Sequence, residues 1–142
     1  MKPIIKYRGG KSKEIPFFSA YIPRSFGRYI EPFFGGGAVY FYLEPKRALI
    51  NDINTKLVNF YRGVKSDFPH LRRELDEIEA IYTDNRTAFD ALKALHPQDR
   101  VEDRNEAFYY ALRDMFNDIA EKQYSDAALY YFINKTAYSG MI

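Results

Sequence analysis

Hydrophobic residues recur at two different spacings along the chain. Between residues 28 and 50, short hydrophobic runs are bounded by glycine, proline and charged residues, a pattern typical of strands and short helices. This part predicts a strand over Arg28–Phe33, a helix over about Ala38–Leu43 and a second strand over Ala48–Ile50. The order strand, helix, strand indicates two parallel strands joined by a helix.

From Thr55 onward, hydrophobic residues recur every three to four positions, which predicts helices. The sequence predicts a helix of about ten residues with Asn54 as its N-cap, a second that opens near Asp67 with Pro69 in its first turn, a short third that stops before Pro97, a fourth from about Asp103 to Glu121, and a fifth capped by Asp126 that runs through Asn134.

The fifth predicted helix is nonpolar nearly all round from Ala127 to Ile133, which indicates that it is buried. Aromatic side chains are frequent in the last two predicted helices: Tyr109, Tyr110, Phe116, Tyr130, Tyr131 and Phe132. Such rings more often pack in a core than stack on bases, so packing is the prediction for this group.

A glycine-rich turn follows the first predicted strand. It reads Glu31-Pro32-Phe33-Phe34-Gly35-Gly36-Gly37-Ala38. Gly35 to Gly37 would let backbone N–H groups approach a ligand, and Asp52, 21 residues after Glu31, would accept hydrogen bonds from ribose hydroxyls. Because Tyr40 stands where a dinucleotide site has its third glycine, a cofactor without a pyrophosphate is favoured. A surface turn in which Asp52 caps the next helix is the alternative.

A second candidate segment is Lys6-Tyr7-Arg8-Gly9-Gly10-Lys11-Ser12-Lys13. A phosphate-binding loop would need a glycine where Ile5 stands, so that interpretation is disfavoured. Tyr7 offers a ring to an adenine or a sulfonium, and Lys11 offers a cation to a carboxylate or phosphate. A solvated basic terminus remains the alternative.

The two segments, followed by Asn51-Asp52-Ile53-Asn54, resemble the opening motifs of the Dam-type, D12 class of DNA adenine N6-methyltransferases. The resemblance covers most of residues 4–65 and resumes at Asn134-Lys135-Thr136-Ala137-Tyr138-Ser139-Gly140. It implies double-stranded DNA as the partner and S-adenosylmethionine as the methyl donor. It also implies donor binding by Tyr7, Lys11 and Asp52, with Glu31 and the turn from Gly35 to Gly37 framing the methionine part.

The resemblance further implies an α/β fold, an incomplete Rossmann-like methyltransferase sheet with an all-helical target-recognition subdomain. We expect residues 1–56 to be the N-terminal part of the catalytic domain, residues 57–134 the helical subdomain that recognises the DNA target, and residues 135–142 a truncated return segment.

No catalytic residue is predicted, because amino-methyltransferases hold the flipped base with an Asp-Pro-Pro-Tyr-like loop and every proline in this chain stands alone. We therefore interpret the chain as the N-terminal part of a methyltransferase. The open edges of a two-stranded sheet predict a C-terminal half or a second copy that completes it. A non-catalytic DNA-binding or cofactor-binding remnant is the alternative, and a degenerate P-loop NTPase is a distant third.

Composition favours a globular enzyme, with 46% hydrophobic and 28% charged residues among 142. No hydrophobic run is long enough for a membrane span or a signal peptide, so a cytoplasmic location is expected. With no cysteine, and with His70 and His96 far apart, no metal site is predicted. Residues 1–28 carry a net charge of +6 and the remainder −4, which is compatible with a DNA backbone near the N-terminal segment.

Overall fold

The architecture is a small two-stranded unit joined to a bundle of helices, seen in a computed structural model that describes residues 1–138. The elements are α1 (Ile15–Phe18), β1 (Tyr29–Glu31), α2 (Ala38–Leu43), β2 (Ala48–Ile50), α3 (Thr55–Ser66), α4 (Phe68–Leu95), α5 (Arg104–Phe116) and α6 (Asp126–Thr136), with short 3-10 turns at Lys11–Lys13 and Ser19–Tyr21.

Strands β1 and β2 are parallel and α2 connects them, as predicted. In their register, Ile30 lies opposite Leu49. The bounds of α2 and β2 match the prediction, whereas β1 is shorter than the predicted strand. It ends before Pro32, which has no N–H to donate to a neighbouring strand.

The predicted starts of the next two helices are confirmed. The backbone N–H of Leu57 donates to the Asn54 side chain over 3.1 Å at the start of α3. The N–H of His70 donates to Asp67 over 3.1 Å at the start of α4. Each cap satisfies a backbone donor that has no partner within the helix.

The prediction of separate second and third helices is wrong, because α4 is one helix of 28 residues. No glycine or proline interrupts it after Pro69, so the backbone continues without a break. Only Leu71 and Ile78 of this helix are buried. The hydrophobic spacing weakens beyond residue 82 because that half of α4 leaves the core.

Two helix ends also differ from the prediction. Helix α5 ends at Phe116 rather than near Glu121, because Asp118 turns into a left-handed conformation with φ of 60°. Ile119, which lies within the predicted range of this helix, falls beyond its end and is 73% exposed. At the start of α6 the cap is Ser125, whose hydroxyl accepts from the N–H of Ala128 over 3.2 Å, and Asp126 is the first helical residue.

The core lies among α3, α4, α5 and α6, and α6 is its most buried element. Its buried residues are Ala127, Ala128, Leu129, Tyr130, Phe132, Ile133 and Asn134. The predicted burial of this helix, and the packing role of Phe116, Tyr130 and Phe132, are therefore confirmed. Ile5 from the N-terminal segment belongs to the same core.

Candidate cofactor site

The glycine turn between β1 and α2 is shaped by its own backbone and by Asp52. Gly35 and Gly37 have φ of 50° and 69°, conformations that favour glycine. One oxygen of Asp52 accepts from the N–H of Gly35 over 2.8 Å. Its other oxygen accepts from the N–H of Asn54 over 2.9 Å. Asp52 thus fixes both the turn and the start of α3.

The side chain of Tyr7 lies directly against this turn. A Cβ on Gly35 would lie 3.0 Å from the Tyr7 ring, and a Cβ on Gly36 would lie 2.8 Å from the Tyr7 Cβ. A Cβ on Gly37 would overlap the ring of Phe34. The side chains of Tyr7 and Phe34 therefore fill the space beside these glycines. Tyr7 is the residue through which the N-terminal segment contacts the turn.

All six residues predicted from the sequence line one cavity of about 240 Å³: Tyr7, Lys11, Glu31, Gly35, Gly37 and Asp52. An adjoining cavity of about 540 Å³ shares Tyr7, Gly10, Gly36 and Ala38 with it. Small-molecule sites usually occupy about 300–1,000 Å³, so the volume of the smaller cavity lies just below this range and that of the adjoining cavity lies within it. The structure brings the predicted residues together, and their contacts with a cofactor stay a prediction.

Glu31, the last residue of β1, is the second carboxylate of the cavity. The Tyr29 hydroxyl donates to its Oε2 over 2.6 Å. Burial raises the pKa of the Glu31 carboxyl, and hydrogen bonds from the Tyr29 hydroxyl and the Tyr40 backbone oppose that rise. The pKa of Tyr29 is raised by burial and by its bond to Glu31.

Lys11 lies at the rim on a 3-10 turn. Its ammonium is 3.2 Å from Glu14, and the two side chains are 59% and 57% exposed. An exposed ion pair of this kind contributes little to stability. Lys11 can therefore turn towards an anion in the cavity at small energetic cost.

Two tyrosines of the helical part, Tyr61 and Tyr130, approach the site, although the sequence predicts no role for them there. Tyr130 is 2% exposed, and burial, together with the nearby Tyr7 and Asp52, raises its pKa to about 12. The hydroxyl of Tyr61 is buried without a hydrogen-bond partner within residues 1–138. The Tyr61 ring meets that of Phe34 edge-on, with centroids 5.0 Å apart. The spacing of Tyr61 and Tyr130 along their helices predicts only that both are buried. No nearby residue in the sequence indicates that they lie close to the glycine turn.

The described residues contain neither a metal-binding cluster nor a membrane-spanning helix. Within residues 1–138, no group of three or more His, Cys, Asp or Glu side chains is arranged to hold a metal ion. None of the helices described there has the length and hydrophobicity that crossing a membrane requires.

Comparison with known proteins identifies the family. The model of the D12 class N6 adenine-specific DNA methyltransferases matches residues 7–142. The chain belongs to this family. The match includes both segments that meet in the cavity, the N-terminal one from Tyr7 onward and the glycine turn.

Three related methyltransferases come from different sources. The Type II methyltransferase M.MjaIII of Methanocaldococcus jannaschii is 34% identical over 99% of this chain and 47% of its own length. The Type II methyltransferase M.CviBI of Paramecium bursaria Chlorella virus NC1A is 31% identical over 100% of this chain and 45% of its own length. The DNA adenine methylase of Haemophilus influenzae is 26% identical over 99% of this chain and 42% of its own length. The chain thus spans less than half the length of these relatives.

Proposed function

We propose that this chain supplies the donor-binding and helical parts of a site-specific DNA methyltransferase that transfers a methyl group from S-adenosylmethionine to adenine N6. The observation that carries the proposal is the convergence of Tyr7, Lys11 and Asp52 with the glycine turn on one cavity. Membership of the D12 class supplies the reaction.

The chemistry of each side chain fits a role at the donor. Both Asp52 oxygens hold a backbone N–H, but a carboxylate has about four lone-pair sites, so each oxygen can also accept from a ribose hydroxyl. Glu31 suits the ammonium of the methionine part, and Lys11 suits its carboxylate. Tyr7 offers its ring to the adenine or the sulfonium. The donor, when bound, supplies an electrophilic methyl group on sulfur.

The helical part is proposed to contact DNA. We assign residues 57–134 to target recognition and residues 135–142 to a return segment, of which 139–142 lie outside the described residues. The positive charge of residues 1–28, which lie outside the helical part, supports a DNA backbone near the N-terminal segment. Cytoplasmic location follows as part of the proposal, because the substrate is cellular DNA.

One face of the two-stranded sheet exposes nonpolar side chains, which favours a further segment of protein packed against it. Ile30 and Leu49 lie opposite each other in the register and are 55% and 49% exposed. Nonpolar side chains on a sheet face are normally covered. We propose that a C-terminal half, or a second copy of the chain, covers this face and completes the sheet.

Incorporation of tritiated methyl into mixed-sequence DNA tests the function. Residues 1–142 contain no Pro-Pro pair to hold a flipped adenine, so we expect donor binding without transfer. A fusion to the remainder of the Methanocaldococcus jannaschii relative should label adenine N6. The same fusion with Asp52→Ala is the control and should lose most of the label.

Three outcomes separate the alternatives. Label on another base, or robust incorporation by residues 1–142 alone, would contradict the proposal. DNA binding by a folded chain with no donor affinity, whether alone or fused, would favour the non-catalytic remnant.

A further inference from the structure

The N-terminal segment is held by the end of α6, which follows it by more than a hundred residues. The Lys6 N–H donates to Oδ1 of Asn134 over 2.8 Å, and Nδ2 of Asn134 donates to the Lys6 carbonyl over 2.7 Å. The Asn134 amide thus pairs with both polar groups of one peptide residue, as a neighbouring strand would. The Lys135 ammonium adds a bond of 2.7 Å to the carbonyl of Ile4.

Asn134 is buried in a way that makes this pairing strong. It is 1% exposed and is one of two buried polar residues among residues 1–138. A buried amide without partners is unfavourable, and so is a buried peptide group without partners. Each therefore satisfies the other, and the pairing fixes where the chain enters the cavity.

The next residue after Lys6 is Tyr7, which packs on Gly35 and Gly36 and lines the cavity. The carbonyl of Tyr7 also accepts from the N–H of Gly10 over 3.2 Å. The position of the Tyr7 ring is therefore set on one side by the glycine turn and on the other by the anchored Lys6 backbone.

From these contacts we propose that Asn134 is a positioning residue for donor binding, which holds Tyr7 in the cavity by clamping the Lys6 backbone to α6. The inference rests on the proposed donor site. It makes the helical part responsible for one wall of that site, because α6 packs in the helical core and its last turn carries the clamp.

The test uses Asn134→Asp, which keeps the size of the side chain and the acceptor for the Lys6 N–H. It replaces the donor to the Lys6 carbonyl with a second oxygen, which repels that carbonyl. Leu112→Ala is the matched control, because Leu112 is 1% exposed in the same core and lies outside the clamp. Thermal unfolding of both variants measures the global effect.

Two readouts isolate the clamp. The chain has no tryptophan, so Tyr7→Trp introduces a single tryptophan, which can be excited at wavelengths where tyrosine does not absorb. In that background, quenching of its fluorescence by acrylamide reports how firmly position 7 is held. Affinity for S-adenosylhomocysteine is measured by calorimetry with Tyr7 in place. We expect Asn134→Asp to increase quenching and to weaken binding about tenfold, the scale of a lost buried hydrogen bond. Leu112→Ala should leave both readouts within about twofold.

Amide exchange of the parent protein gives a result that needs no variant. The Lys6 N–H should exchange as slowly as the amides of α6. Rapid exchange at Lys6, or a folded Asn134→Asp protein with the parent's quenching and affinity, would overturn the proposal. If the parent itself fails to bind the donor analogue, the proposed function fails, while quenching and exchange still decide the clamp.

Discussion

At the residue scale, the Asp52 carboxylate accepts hydrogen bonds from two backbone N–H groups, those of Gly35 and Asn54. The sequence predicts that Asp52 binds a ribose or, alternatively, that it caps the next helix. The structure shows its bonds to the backbone at the turn and before α3, and the ribose contact stays a prediction. Any substitution therefore changes the turn as well as the proposed ligand contact.

We expect Asp52→Ala to weaken binding of S-adenosylmethionine or S-adenosylhomocysteine by about 1.5–3 kcal/mol, the scale of charge-assisted hydrogen bonds. Asp67→Ala is the control, because Asp67 also accepts from a backbone N–H but caps α4. It should lower stability by about 1 kcal/mol and leave donor affinity unchanged. Equal donor affinities for Asp52→Ala and the parent, both folded, would remove Asp52 from the site.

Gly36 tests the packing of Tyr7 without backbone strain, since its φ is not positive. A Cβ there would lie 2.8 Å from that of Tyr7, whereas a Cβ on Gly27 would meet nothing within 4 Å. Gly36→Ala should lower the free energy of unfolding by about 1–3 kcal/mol. Gly27→Ala should leave it unchanged or slightly higher. Denaturant titration compares the two, and similar effects would mean that Tyr7 moves freely.

At the element scale, features fixed by local chemistry were predictable. Asn54 and Asp67 cap their helices as expected, because a cap depends on residues three positions apart. The break assigned within α4 was wrong, because a fading hydrophobic stripe looks the same whether a helix stops or leaves the core. Asn134 was assigned only a place in the helix and in a motif, since its partner Lys6 is remote in sequence.

The contact between α3 and α6 depends on one small residue. A Cβ on Gly63 would lie 2.7 Å from the Cβ of Ala127. Alanine stabilises a helix by about 1 kcal/mol relative to glycine. The cost of overpacking, about 1–3 kcal/mol, should exceed this gain. We expect Gly63→Ala to lower the melting temperature.

A double-mutant cycle with Ala127→Gly separates the two effects. Removing the Ala127 methyl makes room for the new one, so the double variant should be more stable than the sum of the single effects by about 1 kcal/mol. Additive losses in calorimetric unfolding would show that the helices do not need this close approach.

At the scale of the whole molecule, the exposed face of the two-stranded sheet predicts an association. Leu49→Asp should change the stability of residues 1–142 by less than about 0.5 kcal/mol, because the side chain is half exposed. It should weaken binding of the C-terminal remainder of a relative by more than about 1 kcal/mol.

Leu95→Asp is the control for that experiment, since Leu95 is 75% exposed at the end of α4, away from the sheet. Calorimetry measures binding of the C-terminal remainder. Sedimentation of residues 1–142 shows whether the chain self-associates, as it would if a second copy covered the sheet face. If Leu49→Asp alters neither binding of the C-terminal remainder nor self-association, the proposal that another chain packs on this face is wrong.

The clamp between Lys6 and Asn134 joins residues 128 positions apart, and this separation sets an order of events during synthesis. At about 5–20 residues per second, a ribosome needs roughly 6–26 s to make the intervening chain. Throughout that interval the nascent N-terminal segment can contact α2, the glycine turn and α3, but its hydrogen-bond partner in α6 does not yet exist. The wall of the cavity that appears first in the sequence is therefore anchored last, and a ribosome stalled before residue 134 would carry a chain whose Lys6 backbone is not yet held.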